Sequence, residues 1–140
     1  MVAIEVIATG KAMRWFVRKE LKDLWDEPIQ GPIGDIEAAD RIRNICQAAS
    51  ALAEYRAARE DDKISAERPR ERERYERAAR AAMQIAMTIT DELMRDDAVR
   101  RIVDLCMKAD DIKTAQILYR AIHAPWVRKA LQDEYPALAT

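Results

Sequence analysis

Asp35 to Glu60, DIEAADRIRNICQAASALAEYRAARE, is the stretch whose reading decides the fold. Asp35 is a fitting N-cap, and Ile36, Ala39, Ile42, Cys46, Ala49, Leu52 and Ala53 then recur at three and four residues. That spacing is the apolar stripe of an amphipathic helix, about 39 Å long at 1.5 Å per residue. A second stretch answers it: after Pro69, which suits a first helical turn, Tyr75, Ala79, Ala82, Ala86, Ile89 and Leu93 recur alternately at four and three. Two Ala-rich helices of equal length joined by a short polar link are expected to pack closely, because Ala lets backbones approach. The sequence therefore predicts an all-α helical bundle built on a long antiparallel Ala-rich hairpin, about 35–60 and 69–94. Between Arg56 and Arg74 the apolar side chains are only Ala57, Ala58, Ile64 and Ala66, so the tip is expected to project from the core.

The rest of the chain fits one helical domain, 1–140. A first helix is expected over about 3–25; the strand-like alternation of Val2, Ile4 and Val6 is outweighed, because a lone strand would have no partner. Residues 26–34 hold two of the five prolines and two of the three glycines and read as a loop. After the hairpin come short helices at about 97–108, 111–122 and 125–134, with Asp96-Asp97 and Asp110-Asp111 read as caps for the first two and Pro125 opening the third with Trp126, Val127, Ala130 and Leu131. Only three glycines in 140 residues, and 35% charged residues, also favour helix over a turn-rich β architecture.

Net charge is −1, so the molecule has no general attraction for polyanions, and a nucleic-acid or membrane role must rest on a local patch. Cys46 and Cys106 lie in apolar stripes and read as buried thiols. The apolar start, Met1 to Ala8, has no basic residue before it and is too short to span a bilayer, which points to a cytoplasmic protein with no membrane role.

Chemistry is sparse. His123 is the only histidine and stands before Ala124-Pro125, where a helix boundary is expected; Ser50 and Ser65 are the only serines, and no motif joins these into a relay. No Glu-x-x-His pair marks a di-iron bundle, and the cluster Asp91, Glu92, Asp96 and Asp97 reads as capping rather than metal ligation. A helix-turn-helix over 109–122 fails in register, because Met107 stands where a small residue belongs and Asp110 and Arg120 where burial is required. No enzyme, cofactor or metal site is expected.

What remains is two basic faces. At 100° per residue, Arg14, Arg18 and Lys22 fall within about 60° of Lys11, with Trp15 at about 40° and the apolar stripe of Met13, Val17, Leu21 and Leu24 opposite. On the later helix Arg70, Arg74 and Arg77 align as one ridge away from Tyr75, Ala79 and Ala82. Solvated faces are the plainest reading, with Glu73–Arg77 and Glu76–Arg80 as i,i+4 pairs. An indole among cations can also stack a base while guanidinium forks hold phosphates. The leading expectation is therefore a small non-catalytic subunit gripping nucleic-acid backbone through Lys11, Arg14, Trp15, Arg18, Lys22, Arg70, Arg74 and Arg77. Its expected partners are RNA or single-stranded DNA and the protein subunits of a larger assembly. A second expectation, of a different class, is a protein-interaction or self-association module acting through the Ala-rich hairpin and its exposed tip, with no nucleic-acid role; a third is that the indole and arginines form the hot spot of a protein interface, where Trp and Arg are the enriched residues. No motif carries a family resemblance; in size and helical make-up alone the chain is similar to the small subunits of RNA-guided effector complexes.

Overall fold

A computed structural model describes residues 23–58 and 68–139. Within them the chain is all-helical, with six α-helices and no strand. These are α1 (Asp35–Ala48), α2 (Ser50–Ala57), α3 (Arg68–Ala86), α4 (Glu92–Lys108), α5 (Ile112–Arg120) and α6 (Pro125–Glu134), flanked by short 3-10 turns at Leu24–Asp26 and Pro136–Ala139. No helix among the described residues is long and apolar enough to cross a membrane. The choice between helix and strand for Val2 to Ile7 lies outside the described residues, as does most of the first expected helix.

Both α1 and α2 pack on α3, and α4 packs on all three. Small side chains line these contacts: Ala38, Ala49 and Ala53 on one side and Ala78, Ala79, Ala82 and Ala86 on the other are buried among Ile42, Ile45, Leu52, Tyr75 and Ile85. Val99, Ile102, Val103 and Cys106 of α4 complete this core, and α5 and α6 add Ala115, Leu118 and Leu131.

The two long arms expected over 35–60 and 69–94 are corrected in three places. The first changes pairing at Ala49, although the Ala49 N–H still donates to the Ile45 carbonyl and the Ala53 N–H to that of Ala49. The second ends at Ala86, not 94. Thr88-Ile89-Thr90 offers two β-branched hydroxyl residues that compete with the helical ladder, and Thr88 donates both its hydroxyl and its N–H to the Ile85 carbonyl. The Asp35 carboxylate then fixes the turn by accepting from the Thr90 N–H, the Thr90 hydroxyl and the Asp91 N–H, each at 2.9 Å. The third correction follows: α4 starts at Glu92 rather than about 97, capped by Asp91, which accepts from the Met94 N–H at 2.9 Å.

Asp96 and Asp97 therefore lie inside α4 and do not cap it. Asp96 is buried and reaches across to the start of α6, accepting from the N–H groups of His123 at 3.1 Å and Ala124 at 2.8 Å. Asp111 does cap α5, accepting from the Thr114 N–H. Asp110 before it takes φ 60, a left-handed helix stop that Asp tolerates better than most residues, with the Asp111 N–H returning to the Cys106 carbonyl at 2.8 Å. Most of the tip expected to project, 59–67, lies outside the described residues, but Arg56 at its start is anchored to the bundle. Its guanidinium donates to the Ala109 carbonyl at 2.9 Å and stands over the Tyr75 ring.

Candidate functional site

Lys11, Arg14, Trp15, Arg18 and Lys22 lie outside the described residues. The second basic face is described, and its arginines do not share one open ridge. Arg70 is exposed at the start of α3. Arg74 grips Asp23 with two nitrogens, Nη2 to Oδ1 at 2.6 Å and Nε to Oδ2 at 3.0 Å, and meets Glu71 at 3.3 Å. Arg77 reaches Asp23 and Asp26, each at 3.2 Å. Hydrogen bonding to Asp23 holds the Arg74 guanidinium above its usual pKa. The pairs Glu73–Arg77 and Glu76–Arg80 are not among the ion pairs of the described residues; Arg77 is held by the 3-10 turn instead. The reason is tertiary. Trp25 buries its ring against α1 and α3, and Asp23 and Asp26, on either side of it, are thereby delivered to the arginines.

The acidic cluster is dispersed by roles. Asp91 caps α4, Asp96 binds the start of α6, Asp97 pairs with Arg101 at 3.3 Å, and Glu92 Oε2 lies 2.9 Å from His123 Nδ1. Among the described residues no group of three or more His, Cys, Asp or Glu side chains is placed to hold a metal. Both cysteines are free thiols, and burial pushes each up to about 12, so neither is a ready nucleophile at neutral pH.

Several exposed apolar side chains lie on elements that meet at one end of the bundle. Ile36, Leu93 and Trp126 were all expected on apolar stripes, yet they are 74%, 57% and 65% exposed, and Met87 beside them in chain order of the α3–α4 turn is 61% exposed. The elements that carry them meet here. Asp35 bonds to the 90–91 turn, Glu92 meets His123, and Asp96 binds the chain entering α6. Ile36 lines an open cleft with Ile33 and Met94, edged by Glu37, Asp40 and Asp91. The cleft beside Ile36 thus has an acidic edge. Periodicity missed it because each of the three side chains sits in or beside a helix's first turn, where the stripe has run past its neighbours. The chain matches no family model, no curated protein and no solved structure.

Proposed function

We propose that this chain is a non-catalytic interaction module that self-associates through the apolar end of its bundle. The observation behind this reading is that Ile36, Met87, Leu93 and Trp126, four large apolar side chains, are each more than half exposed and are carried by elements that meet at one end. Isolated apolar residues on a surface are ordinary, whereas gathered ones mark contact surfaces. Trp is also the residue most enriched at binding hot spots.

The partner we assign is a second copy of the chain, on charge complementarity. Glu37, Asp40 and Asp91 edge the cleft, and the sequence offers the opposite pattern in Lys11, Arg14, Arg18 and Lys22, with Met13, Val17, Leu21 and Leu24 as its apolar side. Leu24, the last of that stripe, is itself exposed. On this reading the Ala-rich helices are scaffold rather than contact surface, and the basic face with Trp15 serves a protein interface in a cytoplasmic setting. The nucleic-acid reading loses support where Arg74 and Arg77 are held by Asp23 and Asp26.

Sedimentation velocity of the full chain over a hundredfold concentration range tests this. A dimer is expected that the Ile36→Asp/Trp126→Asp variant weakens by about tenfold or more, since each ~1.4 kcal/mol of lost burial is tenfold in affinity. Arg14→Glu/Arg18→Glu is expected to weaken it too. A chain that stays monomeric throughout overturns the proposal. If that monomer binds single-stranded RNA or DNA with a steep salt dependence that Arg14→Glu/Arg18→Glu abolishes, the nucleic-acid reading replaces it.

A further inference from the structure

Where α1 and α2 run beside α4, a cleft of 440 Å³ opens to solvent, within the range of about 300–1,000 Å³ typical of small-molecule sites. Arg43 and Gln47 of α1, Ser50 at the start of α2, and Arg101 and Lys108 of α4 line its walls. Cys46 and Leu105 supply the floor, with Cys46 Sγ held at 3.9 Å from the Arg101 carbonyl.

The charges of this cleft are unbalanced. Three cations face one carboxylate, Asp104, and that carboxylate is engaged elsewhere: it accepts from the Tyr135 hydroxyl at 3.0 Å and lies 3.8 Å from Arg100, neither of which lines the cleft. The Cys46 thiol is neutral at physiological pH, so it contributes no competing anion. Lys108 is oriented by a hydroxyl, Nζ to Ser50 Oγ at 2.8 Å, which leaves its charge uncancelled by that contact. Arg43 and Arg101 do have acids, but each lies on the arginine's own helix, Asp40 one turn before Arg43 and Asp97 one turn before Arg101. Both arginine side chains are about two-fifths exposed (41% and 42%), and their acids more so. Such solvated pairs hold together by about 1 kcal/mol or less and exchange readily for a better acceptor.

We propose that this cleft is a binding site for a phosphoryl group, with Lys108 and Ser50 at one end and the forks of Arg43 and Arg101 closing on it from the two facing helices. The chemistry matches: a phosphoryl dianion carries several acceptor oxygens, guanidinium donates to them in pairs, and lysine adds a point charge. Gln47 provides a neutral donor beside them. The other clefts differ in kind, the one beside Ile36 being edged by carboxylates and that beside Tyr75 carrying Arg56 and Arg80 against Glu76 and Asp111.

Amide correlation spectra of the full chain, titrated with inorganic phosphate, pyrophosphate and adenosine monophosphate against sodium chloride at matched ionic strength, test the site. Shifts confined to residues around Arg43, Gln47, Ser50, Arg101 and Lys108 are expected. Lys108→Gln should weaken binding by about tenfold, the loss that goes with one charge-assisted hydrogen bond, and Arg101→Gln similarly, while Lys129→Gln on α6 leaves it unchanged. Lys108 and Lys129 are exposed and Arg101 is about two-fifths exposed, so each variant is expected to keep the wild-type spectrum elsewhere. A parallel titration with a short single-stranded oligonucleotide separates the sources. Shifts at the same residues without a response to the small ligands assign the phosphoryl group to a polymer backbone, and the converse assigns it to a small molecule. If chloride reproduces the shifts, if Lys129→Gln weakens binding as much as Lys108→Gln, or if no probe perturbs the cleft, the proposal fails.

Discussion

Two sets of arginines in this molecule carry the same charge and differ in what holds them. Arg74 and Arg77 on α3 meet carboxylates delivered from a separate element, the 3-10 turn at Leu24–Asp26 with Asp23 before it, and the pairs close over the buried Trp25. Arg43 and Arg101 meet acids one turn away on their own helices, in water. The first set is part of how the chain is held together; the second is loosely held and open to a ligand. A basic stripe therefore says little until the origin of its counter-charges is known.

The same distinction can be pressed hardest within α4, where neighbouring aspartates stand on opposite sides of it. Asp96 is buried and accepts two backbone N–H groups at the start of α6, whereas Asp97 is exposed and pairs along its own helix with Arg101. Asp96→Ala strands two donors and is expected to cost about 2–4 kcal/mol in urea unfolding. Asp97→Ala is expected to cost less than about 0.5 kcal/mol. Equal losses would break the comparison.

Next in size is Asp23→Ala, which removes the acid shared by Arg74 and Arg77. Because those guanidinium groups are partly solvated, a stability loss of only about 1 kcal/mol is expected. The freed ridge of Arg70, Arg74 and Arg77 should also be retained more strongly on heparin, to a degree that falls with salt. Glu73→Ala, an equal change in net charge at an exposed position of α3, is the control. If both variants gain retention equally, net charge alone accounts for it and the ridge was never closed.

How much was legible beforehand follows from which forces are local. The helical class was readable because it rests on the repeat of Ile42, Leu52, Tyr75, Ala79 and Ala82, all of which are buried. The ends of the helices were not. The stop at Ala86 starts with Thr88, and the turn beyond it is fixed by Asp35, more than fifty residues away, bonding residues 90–91. Reading through that stop placed Leu93 on a stripe and made Asp96 and Asp97 a cap. Of the candidate site residues, Arg74 and Arg77 could be placed on one face, but the arrival of Asp23 and Asp26 depends on where Trp25 packs. The cleft at Arg43, Arg101 and Lys108 joins positions on different helices, which no single-helix projection brings together.

The smallest expected effect concerns pH and sharpens the comparison at the apolar end. Asp35 is a solvated carboxylate, like the acids of the loose pairs, yet it binds a different element, like the acids of the closed ones. Accepting from the Thr90 N–H, then the Asp91 N–H and the Thr90 hydroxyl, lowers its pKa. An acid with a lowered folded value contributes stability above its ordinary pKa of about 4 and loses it as pH falls through the folded value. Asp104 runs the other way, because burial raises its pKa against the opposing hydrogen bond from Tyr135. Its charged form is disfavoured by folding, so its unfavourable contribution appears as pH rises through that raised value and vanishes below the ordinary one. Acid titration followed at the Thr90 and Asp91 amides should show Asp35 titrating below the ordinary carboxylate range, and Asp35→Asn should remove that transition. It should also flatten the acid limb of stability, whereas Asp104→Asn should leave the loss on acidification in place. If Asp35→Asn leaves both amides and the acid limb unchanged, the bond from Asp35 to the turn does not hold α1 to the start of α4, and the element that contributes Ile36 to the apolar end is fixed by packing alone.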